Sequence, residues 1–378
     1  MAHLDPGPVH TGLLDCIQVN LAVLADHHHG PGTHLRLGTP LDLRAWERPA
    51  DGLPTVAPPP TEQLATLPAL VGLRVVDHAR LTRAELLADR AADDVPRYIV
   101  ADAYHLPWLP YHGRAHQPHS FLLAAGPDGW HITDAYRDET EWGPAAPGHW
   151  VLPAADLAAL TTADIVELAP ADLPPLSAQP PAATLDPAAA DAYLAPYDAC
   201  PDRARALAHL TAETRLLART RKLHATYRAL YAGRADGPEP GPEADHLRAW
   251  DKVVEQTRLA HRRVAGGRSE PPGAVDRLRG VLAADRRVFG TVPAPAGPPA
   301  PDGAELRRRV AAVAADVLGV PASDLLGGAP FDSFPAFSSF RLVEIIERLE
   351  RALGRELDAD ELIPENLRRV DDLCRIAR

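Results

Sequence analysis

The chain has 378 residues, 46% of them hydrophobic and 24% charged, with a formal net charge of −12 at pH 7. This length allows two or three domains, and the balance of residue types is that of a globular protein. The negative charge argues against a nucleic-acid partner, because phosphate backbones attract basic proteins. Cys16, Cys200 and Cys374 lie far apart without CxxC spacing, which argues against a disulfide scaffold and a structural zinc site.

The N-terminal segment "MAHLDPGPVHTGLLDC" lacks a basic region followed by an apolar core, so we expect no secretory signal. No apolar stretch of the sequence reaches the ~20 residues that a transmembrane helix needs. We therefore predict a cytoplasmic protein that binds neither membranes nor nucleic acids.

Two stretches rich in Pro and Ala predict linkers between folded parts. They are residues 169–190 and residues 291–303, and such compositions favour extended, semi-rigid spacers over packed elements. The expected organisation is a first domain at residues 1–168, a helical extension at residues 185–290, the linker at residues 291–303 and a small last domain at residues 304–378.

The first part combines one helix with short strands. In "CIQVNLAVLADHHH" the apolar residues Ile17, Leu21 and Leu24 recur at helical spacing. The apolar runs "RYIVADAYHL", "HSFLLAAG" and "GWHITDAY" indicate strands, and "GPDG" between the last two predicts a hairpin turn. A leading helix followed by antiparallel strands predicts an α+β domain.

Cys16 stands at the beginning of the predicted helix. The positive end of the helix dipole and the unpaired N–H groups there lower the pKa of a thiol, so we expect Cys16 to favour the nucleophilic thiolate. The alternative is an inert thiol in the core. His119 and Asp134 stand on the two strands of the predicted hairpin, which allows them to meet. Nucleophilic cysteine chemistry needs such an imidazole and a third group that orients it.

The segments "DCIQVNLAVLADH", "RYIVADAYHLPWLPYHGRAHQPHSFLLAAG" and "WHITDAY" occur in an order that resembles the N-terminal domain of the butirosin biosynthesis protein H family. The resemblance covers roughly residues 10–165, and the helical middle part resembles the extension that these proteins carry. It implies a papain-like fold with Cys16 as nucleophile, His119 as general base and Asp134 as orienting acid. It also implies a strand and a substrate groove at residues 104–108, and transfer of an acyl group from a carrier-protein thioester to an amine.

Other polar residues near this site have competing interpretations. A metal site built from the run at residues 27–29 or from His112 and His116 is not assigned, because no carboxylate or Cys falls at a ligand spacing. Gln18 or Asn20 are candidates for holding an oxyanion, but the backbone N–H of Cys16 is the preferred donor.

The middle part has three segments with apolar residues at helical spacing, around Leu216–Leu230, Leu247–Val264 and Val275–Phe289. These faces are interpreted as packing surfaces. The basic residues in "RLLARTRKLHATYR" are interpreted as a solvated face, with a docking surface as the alternative.

The last part resembles an acyl or peptidyl carrier protein, a small four-helix bundle that bears 4′-phosphopantetheine on a serine. The mark of that family is Asp-Ser-Leu at the start of the second helix. Ser333 keeps a preceding Asp, but Pro335 would interrupt the helix in its first turn. Ser339 lacks the Asp but begins the periodic run "SFRLVEIIERLERAL", so we assign the attachment to Ser339 before Ser333. The alternative is a degenerate bundle used for docking.

Together these resemblances predict a cysteine-dependent acyltransferase that forms an amide from a carrier-bound acyl or aminoacyl thioester in nonribosomal peptide or antibiotic biosynthesis. The expected partners are a phosphopantetheinyl transferase, an enzyme that loads the acyl group, and an amine acceptor or a partner carrier protein. The alternatives are a thioesterase or cyclase that releases the carrier-bound group, and a non-catalytic carrier with a docking module.

Overall fold

The computed structural model describes residues 4–48, 51–82, 85, 96–126, 129–153, 160–175, 186–232, 241–290, 303–353, 357 and 367–377. The chain divides into two compact units, Met1–Pro293 and Ala294–Arg378. Within the described residues, no helix is long and apolar enough to cross a membrane.

The first unit contains a mixed arrangement of helices and sheet. Its strands are β1 (Trp46–Glu47), β2 (Pro54–Thr55), β3 (Leu73–Thr82), β4 (Arg97–Asp102), β5 (Pro118–Gly126), β6 (Gly129–Asp134), β7 (Asp138–Thr140), β8 (Gly143–Ala145), β9 (Gly148–Leu152) and β10 (Thr162–Pro170). Six of them form one antiparallel sheet in the order β3-β10-β4-β5-β6-β9. The prediction of an α+β part with antiparallel strands is confirmed.

The predicted hairpin joins β5 and β6. The register pairs Gly126 with Gly129, and residues 127–128 between them lie outside the described part of the chain. Gly129 has a φ of +147°, and a Cβ there would meet the carbonyl oxygen of Leu152 on β9 at 2.8 Å, so the position requires glycine. The hairpin places the start of β5, with His119, near the end of β6, with Asp134.

The expected strand at residues 104–108 is wrong. Strand β4 ends at Asp102, and the chain continues as a short 3-10 helix, Ala103–His105. The carboxylate of Asp102 accepts a hydrogen bond from the backbone N–H of Tyr104 at 3.0 Å, which turns the chain, and Pro107 lacks the N–H that a ladder needs.

Helix α1 (Gln18–His29) is buried along most of its length and shares one hydrophobic core with the sheet. A second helix, α2 (Pro60–Val71), leads into β3. The predicted helix after Cys16 is confirmed. Its burial on more than one side explains why its apolar residues are almost continuous from Val19 to Ala25.

The helical part of the first unit consists of α3 (Pro187–Ala199), α4 (Arg203–Tyr231), α5 (Pro242–Ala265) and α6 (Ala274–Phe289). The three predicted middle helices are confirmed as α4, α5 and α6. Leu223 and Tyr227 of α4 belong to the same core cluster as α1 and the sheet. The sheet and the helices therefore pack as one compact unit, although a Pro- and Ala-rich stretch separates them in the sequence.

The interpretation of the basic residues of α4 as a solvated face is wrong for two of them. The side chains of Arg221 and Arg228 are 1% and 2% exposed. Arg221 donates to the buried carboxylate of Asp285 at 2.7 and 2.9 Å, and Arg228 donates to the carbonyl oxygen of Phe289 at 2.8 Å. Loss of one partner from a buried ion pair such as Arg221–Asp285 costs about 3–5 kcal/mol. Both arginines join α4 to α6, so they help to hold the helical part together.

The second unit is helical over its described residues. Its helices are α7 (Gly303–Leu318), α8 (Ala322–Leu326), α9 (Ser339–Leu353) and α10 (Val370–Ile376). Their buried apolar residues form a separate core cluster that includes Phe331, Ile345 and Leu373. The part of the predicted four-helix bundle that falls on residues 354–356 and 358–366 lies outside the described residues.

Candidate functional site

Asp15 holds the turn that leads into helix α1 through reciprocal hydrogen bonds. Its Oδ1 accepts hydrogen bonds from the backbone N–H groups of Ile17 and Gln18 at 2.8 and 2.7 Å. In return, the backbone N–H of Asp15 donates to Gln18 Oε1 at 3.4 Å. The letters Asp-x-x-Gln before an apolar run are the sequence signal for this arrangement, and the sequence analysis missed it. Cys16 lies in this turn, two residues before α1 begins at Gln18.

The backbone of Cys16 is held against the start of strand β5. Its carbonyl oxygen accepts hydrogen bonds from Ser120 Oγ at 2.6 Å and from Ser120 N at 3.3 Å. The half-buried thiol donates to the carbonyl oxygen of Pro118 at 3.4 Å. Because His119 lies between Pro118 and Ser120, the cysteine segment sits directly on the strand residues that flank the imidazole.

His119 and Asp134 form a buried pair. His119 Nε2 lies 2.7 Å from Asp134 Oδ2, and the two residues are 0% and 1% exposed. The carboxylate accepts the Nε2 proton, which leaves the lone pair on Nδ1. His119 Nδ1 is buried and has no hydrogen-bond partner among the described residues. The predicted contact between the two strands is therefore confirmed, with one imidazole nitrogen left for a further partner.

Three further donors hold the carboxylate of Asp134. Trp108 Nε1 donates to Oδ2 at 2.9 Å, Tyr136 N donates to Oδ1 at 3.0 Å, and Asn20 Nδ2 donates to Oδ1 at 3.3 Å. Burial opposes ionisation of Asp134, but the charge of His119 and the hydrogen bonds from His119 and Trp108 outweigh it, so the pKa of Asp134 lies below its usual range.

Asn20 joins helix α1 to both strands of the hairpin. Besides Asp134, its amide donates to the carbonyl oxygen of Ser120 at 2.8 Å, and its Oδ1 accepts from Ala135 N at 3.0 Å. These contacts engage both ends of the side-chain amide, so Asn20 supports the His119–Asp134 pair and does not act as an oxyanion donor. A buried asparagine in an otherwise apolar helix was the available signal for such a role.

The expectation that the helix start lowers the pKa of Cys16 is wrong. Desolvation raises the pKa of the thiol, and the nearby carboxylates of Asp15 and Asp134 raise it further. The positive charge of Arg219 acts in the opposite direction. The thiol is therefore neutral at neutral pH, because burial and two negative charges outweigh the favourable end of the helix.

Two cavities border the segments on either side of Cys16. One, of about 150 Å³, is lined by Asp15, Gln18 and Arg219 among others. The other, of about 520 Å³, is lined by Pro118, whose carbonyl accepts from the thiol, and by the ion pair of His116 with Asp102. No group of three His, Cys, Asp or Glu residues among those the structure describes is arranged to hold a metal ion.

The two candidate serines of the second unit have different settings. Ser339 is the first residue of α9, which has no acidic residue in its first turn. Ser333 lies in a one-turn 3-10 helix, Phe331–Ser333, and its Oγ donates to the carbonyl oxygen of Pro330 at 2.6 Å. A helix start without acidic neighbours suits a phosphodiester, because the free N–H groups and the helix dipole favour an anion.

Comparison with known protein families identifies the second unit. Residues 308–376 match the family model described as a phosphopantetheine attachment site. No curated protein matches the chain. The second unit is thus a carrier protein domain, and its cofactor is covalently attached 4′-phosphopantetheine. A carrier domain implies a phosphopantetheinyl transferase and a loading enzyme as partners.

Proposed function

We propose that the protein is a cysteine-dependent acyltransferase that takes an acyl or aminoacyl group from a carrier-bound thioester and transfers it to an amine. The observation that carries this proposal is the buried His119–Asp134 pair. Its second imidazole nitrogen has no partner among the described residues, and the backbone of Cys16 is held by Ser120, the next residue on the same strand. A helix that begins two residues after the cysteine and a sheet that bears the other two residues also support a papain-like fold. The attachment residue that we propose is Ser339.

The cofactor supplies the acyl group as a thioester when it is loaded. In the first half-reaction, His119 Nδ1 accepts the thiol proton while Cys16 Sγ attacks the thioester carbonyl. The bond from the carbonyl carbon to the carrier sulfur breaks, and the proton passes from His119 to that sulfur. The products are an acyl-enzyme on Cys16 and a free carrier thiol.

In the second half-reaction the amine nitrogen attacks the acyl group on Cys16. His119 Nδ1 takes a proton from the amine, the carbon–sulfur bond to Cys16 breaks, and the proton returns to Sγ. Asp134 keeps the Nε2 proton in place and stabilises the imidazolium that forms in both steps. The raised pKa of the thiol fits this order of events, because Cys16 loses its proton to His119 during the attack and not before it.

A thioesterase or cyclase would use the same first half-reaction and then water or an internal nucleophile. Amide formation requires an amine that competes with water, and a carrier-bound substrate of nonribosomal peptide or antibiotic assembly would meet such an acceptor. A non-catalytic carrier with a docking module would form no acyl-enzyme at all. The three functions therefore differ in the fate of the acyl group, which mass spectrometry measures directly.

The first experiment locates the carrier serine. The full chain is incubated with coenzyme A and a phosphopantetheinyl transferase, and its intact mass is measured. A gain of about 340 Da is expected for the modification, an order-of-magnitude figure for a covalent phosphopantetheine. Ser339→Ala should abolish the gain and Ser333→Ala should retain it. The opposite pattern would move the attachment to Ser333.

The second experiment tests catalysis. The chain is loaded with acetyl-phosphopantetheine from acetyl-coenzyme A, and digestion followed by mass spectrometry locates the acetyl group over time. We expect it to appear on Cys16 in the wild type and to remain on the carrier in Cys16→Ala and His119→Ala. A panel of amines then tests for amides. Free acid with every amine would establish the thioesterase, and an acetyl group that never leaves the carrier would contradict both enzymes.

A further inference from the structure

Arg219 of helix α4 connects the two chain segments that carry the ends of the candidate triad. Its NH1 donates to the carbonyl oxygen of Leu14 at 3.2 Å, two residues before Cys16. Its NH2 donates to the carbonyl oxygen of Arg137 at 2.8 Å and to Asp138 Oδ1 at 3.1 Å. Arg137 follows Asp134 by three residues, so one guanidinium holds both segments.

The same guanidinium also packs over Tyr136, the ring that contacts the imidazole. Its Cζ lies 5.7 Å from the centroid of the Tyr136 ring, and that ring meets His119 edge-on at 5.2 Å between centroids. Three N–H groups of Arg219 are used in the contacts to Leu14, Arg137 and Asp138. These partners belong to the protein itself, so the arginine is built into the site and is not arranged primarily to receive a substrate.

The charges around the Cys16 thiol are unbalanced. Asp15 faces it from its own segment and Asp134 from strand β6, and both carboxylates disfavour the thiolate. Arg219 acts on it from helix α4, and the thiol itself donates to the carbonyl oxygen of Pro118, the residue before His119 on strand β5. The guanidinium keeps its positive charge in proteins, and it is the cation that lowers the pKa of Cys16 against the effect of the two carboxylates.

We propose that Arg219 is a positioning residue of the cysteine site, which holds the segment before Cys16 against the segment after Asp134 and keeps a fixed positive charge beside the thiol. The helical part then contributes a residue to the cysteine site, in addition to packing against the sheet. The consequence for catalysis rests on the proposed acyltransferase function, but the effect on the thiol does not.

The test measures the reactivity of Cys16 without acyl transfer. The full-length protein is alkylated with iodoacetamide, a neutral reagent whose approach does not depend on the charge of residue 219. The second-order rate at Cys16 is followed at pH 8 by peptide mass spectrometry, which separates it from Cys200 and Cys374. Arg219→Gln removes the charge, and Arg219→Lys keeps the charge but loses the forked geometry.

We expect Arg219→Gln to slow alkylation of Cys16 on the order of tenfold, the change in thiolate fraction that one pKa unit gives at fixed pH. Arg219→Lys should recover part of this loss. Arg215→Gln is the matched control, because Arg215 lies one turn earlier on the same helix and also pairs with Asp138 but has no contact to Leu14 among those described. It should leave the rate within about twofold of the wild type, a change far below one pKa unit.

An unchanged or faster rate in Arg219→Gln would overturn the proposal, because a residue that only tethers the segment would expose the thiol when removed. If Cys16 is alkylated as slowly in Arg219→Lys as in Arg219→Gln, the positive charge has no role at the thiol, and the proposal is overturned as well. Acetylation of Cys16 by the loaded carrier is measured in parallel. If the wild type forms no acyl-enzyme but the alkylation pattern holds, the proposed function fails and the role of Arg219 stands.

Discussion

Replacement of Asp134 by Asn tests the buried pair most directly, because an amide has the shape of a carboxylate but turns one acceptor oxygen into a donor group. Two donors converge on each carboxylate oxygen: His119 Nε2 and Trp108 Nε1 on Oδ2, and Tyr136 N and Asn20 Nδ2 on Oδ1. Whichever way the amide of Asp134→Asn is oriented, its NH2 group therefore faces two groups that donate in the wild type.

The magnitude follows from these contacts. If the NH2 group faces Oδ1 donors, a backbone N–H and the amide of Asn20 lose their acceptor. If it faces His119, the ring must change tautomer to accept from it, and Trp108 still loses its acceptor. Asn20 Nδ2 still donates to the carbonyl oxygen of Ser120. Each orientation therefore leaves one buried donor, Tyr136 N or Trp108 Nε1, without an acceptor. Such a donor costs about 1–3 kcal/mol, which is the loss that we expect in the free energy of unfolding. In the second orientation the proton moves to His119 Nδ1, so the general-base role that we propose for His119 should be lost as well.

Urea unfolding followed by tryptophan fluorescence measures this loss in the first unit alone. All 6 tryptophans of the chain precede residue 293, so the carrier domain does not contribute to the signal. Asp42→Asn makes the same chemical change at an exposed carboxylate and should alter the free energy of unfolding by less than about 0.5 kcal/mol. A loss below about 1 kcal/mol in Asp134→Asn would refute the convergence of donors on this carboxylate.

Three further predictions concern the surroundings of this site. Trp108→Phe removes one donor from Asp134 but keeps an aromatic ring, so it should raise the pKa of Asp134. It should slow the acylation of Cys16, measured by mass spectrometry, while the free energy of unfolding changes little. Because the folded pKa of Asp134 is depressed, its contribution to stability is present above about pH 4 and is lost as the pH falls through the folded value; the difference between wild type and Asp134→Asn in urea unfolding should shrink below pH 4. Gly38→Ala would place a Cβ 2.8 Å from the Leu223 carbonyl and should cost about 1–3 kcal/mol, whereas Gly280→Ala, exposed within α6 with nothing within 4 Å, should stabilise by about 0.5–1 kcal/mol in the same assay.

The sequence was sufficient for the elements that carry the site. Apolar spacing predicted helix α1 and the three long helices, and alternating apolar runs with a Gly-Pro-Asp-Gly turn predicted the hairpin of β5 and β6. The meeting of His119 with Asp134 follows from that hairpin, because the register of two paired strands determines which of their residues lie near each other. Local patterns thus determine this pair.

What the sequence left out depends on contacts between distant segments. Arg219 reaches the Cys16 segment across 205 positions, and Trp108 reaches Asp134 across 26. From sequence alone, a basic helix face is interpreted as solvated because its packing partner is unknown. A cysteine near a helix start is interpreted as activated because neither its desolvation nor the two nearby carboxylates are visible in the sequence. The helix dipole is a local effect worth a fraction of a kcal/mol to about 2 kcal/mol, which desolvation of a thiolate easily exceeds.

The two candidate reactive groups have opposite requirements, and this explains their placement in separate compact units. A carrier serine must meet a transferase, a loading enzyme and an acceptor of the acyl group in turn, so it belongs at a helix start with little surrounding structure. A cysteine that must transfer an acyl group to an amine in competition with water benefits from burial, because a dry site slows hydrolysis of the acyl-enzyme. Desolvation keeps the thiol protonated. Under the proposed function, three groups compensate for this: His119 as the base, Asp134 with its four donors as the orienting carboxylate, and Arg219 from the helical part. Substitutions at Cys16, Asp134 and Arg219 should therefore act together: once Cys16→Ala has removed acylation, Arg219→Gln should have no additional effect on it.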